Sequence, residues 1–224
     1  MNRALSFAKL DYITIKPYLT LKNLFLFSIV ALFMMITWKN TVSAIAMLMV
    51  YSSLYVSYPF AVGDKNGIDA LYTSLSINRI TVVNGRYLFA FIFNACAGIL
   101  SFIYSILVSK IMKYDFNLFE TVLSTLALFF VFSIVQAIQL PLYFKLGYTK
   151  AKFYSYIPFL GLPLIALVLS NFLKDKISIN QIADISTWVE ANQYITLLIG
   201  VIFWLILMII SLQVSQVFYK KREF

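Results

Sequence analysis

The chain has 224 residues, of which 62% are hydrophobic and 12% are charged, whereas soluble domains are about a quarter charged. This composition excludes an ordinary soluble domain and indicates an integral membrane protein. A net charge of +9 would favour nucleic acid as the partner of a soluble chain. In a membrane protein, basic residues gather beside anionic lipid on the cytoplasmic side, so we expect lipid contacts and no nucleic acid. The single cysteine, Cys96, excludes a disulfide framework.

Residues 1–22 mix charged and apolar side chains, and they show no cleavable signal peptide. One helical stripe runs through this segment and consists of Leu5, Ala8, Tyr12, Ile15 and Leu19. Three apolar residues fall off that stripe, namely Phe7, Leu10 and Ile13. Pro17 should kink or end the helix. The pattern predicts an amphipathic helix at the membrane surface, with a simple charged lead-in as the alternative.

Six runs without charged residues follow and are the candidate membrane spans. They cover residues 23–38, 40–63, 87–109, 121–144, 153–173 and 191–219. A helix crosses the hydrocarbon with about 20 residues, and lysines at its ends allow a shorter one. The sequence therefore predicts an all-α integral membrane protein, in which residues 1–224 form one domain of six transmembrane helices.

The distribution of Lys and Arg predicts the orientation of these spans. Thirteen of the 18 basic residues lie in the amino-terminal segment, the 64–86 loop, the 145–152 loop and the carboxy-terminal tail. Only five lie in the loops on the opposite side. By the positive-inside rule, both termini and the 64–86 loop are expected in the cytoplasm.

The stretch from Tyr58 to Tyr87 is a long polar interruption with helical signals of its own. A turn is predicted at 64–67, where the sequence reads Asp-Lys-Asn-Gly. Four apolar residues then follow at the spacing of one helix face, namely Ile68, Leu71, Tyr72 and Leu75. Ser76 could cap a second helix running to Arg86. A helix of two turns is not stable alone in water, so we expect its apolar face to lie against lipid or another protein.

The same stretch carries a family resemblance. The residues that carry it are Pro59-Phe60, Asp64-Lys65, Leu71-Tyr72, Ser74-Leu75, Arg79 and Arg86-Tyr87. In this order they resemble the cytoplasmic loop of permease subunits in bacterial ATP-binding-cassette (ABC) exporters of the second type. They are similar in particular to the small permeases grouped with phenol-soluble-modulin and lantibiotic exporters. The resemblance implies a loop that couples the permease to a separate ATPase chain, with ATP and Mg²⁺ on that partner and no cofactor on this chain.

The implied coupling residues fall in two places. The first set is Asp64, Lys65, Ile68, Asp69, Leu71, Tyr72, Ser74, Leu75, Arg79 and Arg86. Within it, Leu71 and Tyr72 are expected to anchor in a groove of the ATPase. Asp69 lies off the apolar stripe and is expected to be a solvated charge, with a pairing to the ATPase as the alternative.

The 145–152 loop is expected to be too short for more than one helical turn. By resemblance it supplies a second ATPase contact, through Gly147, Tyr148, Lys150 and Lys152. Without the resemblance, the residues of this loop predict only a basic anchor at the lipid headgroups.

The later part of the chain offers two weaker signals. Pro158, Gly161 and Pro163 interrupt the fifth run, which predicts either a hinge or static packing, since both residue types are common in membrane helices. The 174–192 segment is the only sizeable external loop. Its apolar residues predict a short interfacial helix or a simple tether.

Missing residue types narrow the function. The chain has no histidine, which excludes His-based metal and proton chemistry. It has no GxxxxGK[ST] loop, so we expect no ATPase activity of its own. No charged residue lies inside the six runs, which argues against an ion-coupled transporter.

The sequence therefore predicts a permease of the bacterial cytoplasmic membrane that is not itself an enzyme. By resemblance, it pairs with a second permease, identical or paralogous, and exports an amphipathic or hydrophobic substrate. A cytolytic or antimicrobial peptide is the first expectation, and the sequence does not identify the residues that line its path. The alternatives are a drug or lipid efflux permease of the same family and a scaffold or sensor without transport.

Overall fold

The computed structural model describes residues 3–74, 77–113, 117–159 and 191–222. It also describes residues 161, 164, 167, 168, 184, 187 and 188. The regular elements in this part of the chain are helical, which confirms the all-α class. They are α1 (Arg3–Ile15), α2 (Leu21–Trp38), α3 (Thr41–Val56), α4 (Tyr58–Asn66), α5 (Ile68–Ser74), α6 (Arg79–Met112), α7 (Leu118–Leu146), α8 (Tyr148–Ser155) and α9 (Gln193–Lys221).

Short polar residues determine where the long helices begin. Thr20, Asn40, Asn78 and Asn117 precede α2, α3, α6 and α7, and each side-chain oxygen accepts a hydrogen bond from a first-turn backbone N–H. The second helix predicted to run through Arg79 towards Arg86 is present, but it is not separate from the third span, because α6 runs unbroken from Arg79 to Met112. Its cap is Asn78, whose Oδ1 lies 2.9 Å from the backbone nitrogen of Ile80. Ser76 lies outside the described residues.

Within the described residues, five helical segments are long and apolar enough to cross a membrane. They are α2, the consecutive helices α3 and α4, α6, α7 and α9. These segments contain, to within two residues at the start, five of the six predicted runs. Most of the sixth run, 153–173, and most of the 174–192 loop lie outside the described residues, so the count of six spans stays a prediction.

The helices extend beyond the charge-free runs because helical geometry continues through charged residues at their ends. Arg79 and Arg86 lie in the first turns of α6, and Lys145 lies in the last turn of α7. The second predicted span is divided at Ser57, and Pro59 follows in the first turn of α4, where its missing N–H costs nothing.

Helix α6 is the centre of the bundle and packs against α1, α3, α7 and α9. In its middle, the fully buried Asn94 joins three helices: its Nδ2 donates to Ser133 Oγ at 2.9 Å, and its Oδ1 accepts from Ser52 Oγ at 3.4 Å. Hydrogen bonds between spans of this kind help to hold helices together in lipid. At one end of the bundle lies an aromatic cluster that includes Phe60, Phe144 and Tyr219. We call this end the α1 end.

Helix α1 packs directly on the first half of α6. Its buried residues are Ala8, Asp11 and Ile15, whereas Leu5 and Tyr12 are about half exposed. Two residues of the predicted stripe, Ala8 and Ile15, thus pack in the protein together with Asp11, whereas Leu5 and Tyr12 do not. The position of α1 at the membrane surface stays a prediction. The helix ends at Ile15, and a 3₁₀ turn containing Pro17 follows, which confirms the expected break.

The close approach of α1 to α6 depends on Gly85. A Cβ at this position would overlap the Cβ of Phe7 and would lie 3.1 Å from the carbonyl oxygen of Ala4. Because the obstacles include the backbone of α1, a side chain at 85 forces α1 away from α6.

We therefore expect Gly85→Ala to destabilise the protein by about 1–3 kcal/mol, the usual cost of overpacking. Thermal unfolding in detergent measures the effect. The matched control is Gly200→Ala in α9, where nothing lies within 4 Å of the added Cβ and alanine favours the helix. Equal melting temperatures for the two variants would contradict the tight α1–α6 contact.

Candidate coupling site

Helix α5 follows Gly67, whose φ of 63° ends α4 in the left-handed conformation that glycine adopts readily. Asp69 and Tyr72 face the bundle and are 6% and 7% exposed. Leu71 is 53% exposed, and Ser74 is also exposed. The expectation that Asp69 is a solvated charge is therefore wrong. Tyr72 belongs to the core and packs edge-on against Phe7, with ring centroids 5.4 Å apart, so its ring is not available as an anchor for a partner.

Arg86 of α6 lies at the centre of a buried ion network and is 3% exposed. Its Nε lies 3.9 Å from Oδ1 of Asp11, and its Nη2 lies 3.6 Å from Oδ1 of Asp69. Its guanidinium also stacks over the ring of Phe60, at 4.2 Å from the centroid. One arginine thereby joins α1, α5 and α6.

The carboxy-terminal tail extends this network. Arg222 Nη1 lies 3.5 Å from Oδ2 of Asp69, and its Nη2 lies 3.4 Å from Oδ1 of Asp64. The hydroxyl of Tyr219 donates to Oδ1 of Asp69 at 3.0 Å. Asp69 therefore connects α5 both to α6 and to the end of α9.

Asp64 connects the network to α8. Its Oδ2 accepts a hydrogen bond from the backbone nitrogen of Thr149 at 2.9 Å, in the first turn of α8, where a negative charge is favourable. Gly147 allows this approach: it has a φ of +74°, and an added Cβ would lie 2.7 Å from Arg222 Nη2 and 2.9 Å from Asp64 Oδ2. The second loop was expected to hold at most one helical turn, which is wrong, because α8 has eight residues and only Gly147 separates it from α7.

Arg79 has a structural partner of its own. Its Nη1 donates to the carbonyl oxygens of Tyr219, Lys220 and Arg222, at 3.1, 2.8 and 2.8 Å. A cation at this position satisfies the free carbonyls at the carboxyl end of α9 and complements the helix dipole. The start of α6 is thereby fixed to the end of α9.

The structure divides the predicted site residues by exposure. Buried or partly buried in the network and its surroundings are Asp64, Ile68, Asp69, Tyr72, Arg79, Arg86, Gly147, Tyr148 and Lys152. Exposed at the surface of the same end are Lys65, Leu71, Ser74 and Lys150. Leu75 lies outside the described residues. Among the described site residues, the exposed group is the one that a partner could reach directly.

The predicted hinge is described only in part. Pro158 is buried in helical backbone, and Gly161 is helical. Pro163 lies outside the described residues, and the hinge stays a prediction.

The sequence analysis missed Asp11, Tyr219 and Arg222. Asp11 could have been found, because it lies three residues after Ala8 and four before Ile15, on the face that proves to be buried. The Tyr219 and Arg222 contacts carry no local signal. Each carboxylate of the network is paired with an arginine, and no group of metal-ligating side chains is found in the described part of the chain, so the arrangement fastens helices together.

The carboxyl group of Asp11 has a raised pKa. Burial raises its pKa from 3.8 to about 6, more than the nearby Arg86 lowers it, and Asp69 raises it further. The pair with Arg86 is loose, and Asp11 Oδ2 has no hydrogen-bond partner in the described structure. Because the pKa is higher in the folded state, Asp11 stabilises the fold below pH 4, and this contribution is lost as the pH rises through about 6.

We expect the protein to become more stable on acidification from pH 7.5 to 5, and Asp11→Asn to remove this dependence. Between pH 7.5 and 5 the expected gain is about 1.4 kcal/mol, because pH 5 lies about one unit below the folded-state pKa of about 6. The measurement is the melting temperature of both proteins across that range in one detergent. Parallel melting curves for parent and variant would show that Asp11 is not the group that titrates.

Comparison with known proteins identifies one family whose sequence profile matches this chain. The sequence profile of the family described as ABC-2 family transporter protein matches residues 8–220, which is nearly the whole chain and includes Asp11, Asp64, Asp69, Arg86 and Tyr219 of the ion network. Searches of curated proteins and of solved structures found no match. Members of this family are the membrane components of ABC transporters and work with a separate ABC ATPase. The chain belongs to the ABC-2 transporter family and is the multi-pass permease subunit of an ABC transporter.

Proposed function

We propose that this permease serves an exporter and that α5 receives the movement of the ATPase. The observation that carries the proposal is the two-sided environment of α5. One side is fixed through Asp69 to Arg86 and Arg222, while Leu71 and Ser74 on the other side are exposed. A displacement of α5 would therefore pull on α6 and α9 together, as a rigid-body switch requires.

Helix α8 is proposed as the second contact with the ATPase. Its first turn is tied to α4 through Asp64 and Thr149, and Lys150 is exposed beside that turn. Because Asp64 also pairs with Arg222, the two proposed contacts belong to one connected unit. The ATPase would then press on a single body, and α5 and α8 would move together.

The proposed orientation places the α1 end in the cytoplasm of a bacterial cell, with both termini on that side. The excess of basic residues in the segments at this end supports it. Helix α8 follows the last turn of α7, whereas the start of α9 lies beside Leu123 and Leu126 near the first turns of α7. The described residues on the two sides of the 160–190 segment thus lie at opposite ends of the bundle, which supports a sixth crossing.

The proposed substrate is an amphipathic or hydrophobic molecule, and a cytolytic or antimicrobial peptide is the first candidate. The support is chemical: long apolar faces of α2 and α9 are exposed, and such walls suit a lipid-like or peptide substrate better than a sugar or an ion. We propose that two permeases, identical or paralogous, enclose the path between them, since one bundle alone leaves these faces uncovered.

We expect Leu71→Ala to lower the affinity for the ATPase at least about fivefold without loss of stability. The reason is that Leu71 is an exposed apolar side chain on the proposed contact face, where truncation of an anchor costs more than about 1 kcal/mol. Binding of the purified ATPase to the reconstituted permease measures the effect.

The matched control is Ile111→Ala, which removes an exposed apolar side chain at the far end of α6 and should leave binding unchanged. A permease that binds no ABC ATPase at all would indicate a scaffold or sensor. Unchanged binding of Leu71→Ala would show that α5 does not form the contact.

A further inference from the structure

An open apolar groove lies between α1 and α6, apart from the ion network. Its cavity measures about 370 Å³. Helix α1 lines it with Leu5, Lys9 and Tyr12, and α6 lines it with Phe89, Ile92 and Cys96. These α1 residues are the ones that do not pack on α6, so the groove is the space between the exposed flank of α1 and the surface of the bundle.

The groove continues deeper along α6. A second apolar cavity of about 260 Å³ shares Phe93 and Cys96 with the first and extends to Leu100 and Ser101. From Phe89 to Ser101, α6 rises about 18 Å at 1.5 Å per residue. Half of the hydrocarbon thickness of a bilayer is about 15 Å. The two cavities together therefore have the length of one acyl chain in one leaflet.

The charge at the mouth of the groove is positive. Lys9 lines the first cavity and is exposed, and Lys16, in the 3₁₀ turn that follows α1, is exposed as well. In the described part of the chain, no acidic side chain forms an ion pair with either lysine. A lysine in this setting lays its stem along the apolar surface and holds its ammonium group at headgroup level.

We propose that this groove binds an anionic phospholipid from the leaflet at the α1 end. One acyl chain occupies the two cavities, and the headgroup lies beside Lys9. Acyl length alone suits any phospholipid, whereas the lysine favours a lipid with a net negative charge. One basic side chain near anionic lipid contributes about fivefold in affinity. This site is independent of the proposed coupling role.

The native Cys96 makes the proposal testable, because it is the only cysteine and lines both cavities. The rate of its alkylation by N-ethylmaleimide would be measured by intact mass on the full-length protein in detergent. Phosphatidylglycerol or phosphatidylcholine with identical acyl chains would be added over a range of concentrations. Native mass spectrometry of the same samples would count the lipids retained.

We expect phosphatidylglycerol to protect Cys96 at about fivefold lower concentration than phosphatidylcholine, with one lipid retained per chain. Lys9→Gln should make the two lipids equivalent. Lys110→Gln, which removes an exposed charge at the opposite end of α6, should preserve the difference. Equal protection of the parent by both lipids would overturn the proposal, because the groove would then be filled without regard to charge. If protection of Cys96 increased with protein concentration and did not depend on added lipid, the groove would be the contact site of a second copy of the chain, and the proposal would be wrong.

Discussion

The burial of Arg86 is the constraint on which the α1 end of the molecule depends. A guanidinium does not release its proton in a protein, so a buried arginine must keep at least one ionised carboxylate partner. Asp11 and Asp69 supply them from α1 and α5, and the rings of Phe60 and Phe144 cover its faces. Removing one partner from a buried pair typically costs about 3–5 kcal/mol. The fold therefore cannot release α5 without leaving a charge uncompensated.

This constraint bears on the proposed role of α5, a helix of only seven residues. Such a helix is not stable alone, and here Asp69 fixes it to α6 through Arg86 and to the end of α9 through Arg222 and Tyr219. Asp64 joins α8 to the same tail. The surface left exposed, with Leu71 at its centre, is the part that a partner could move. In the proposed function, force applied there reaches two spans without deforming the bundle.

Much of the fold could be predicted from the sequence, because a chain in lipid must satisfy its backbone within each span and long apolar runs are therefore helices. The sequence predicts where in the chain the site lies, but it does not predict which of its side chains are buried. Amphipathic reasoning assigns polar residues to solvent and apolar residues to a contact. It therefore predicts a solvated charge at Asp69 and an anchor for the ATPase at Tyr72. The structure differs at Asp69, because arginines from α6 and the tail pair with it. The packed side of α5 therefore carries both Asp69 and Tyr72. Asp64 and Arg222 are 158 residues apart, and no local pattern indicates that they meet.

The central claim is that the ion network holds α5 and α8 on the bundle as one unit. Hydrogen–deuterium exchange in lipid nanodiscs tests it most directly, with Arg222→Gln compared with Lys221→Gln, an exposed neighbour on the same tail. The network predicts faster exchange of the α5 amides and of the Thr149 amide in Arg222→Gln, with α2 and α3 unchanged and no effect in Lys221→Gln. Unchanged protection of α5 in Arg222→Gln would contradict the claim and would leave α5 held by apolar packing alone.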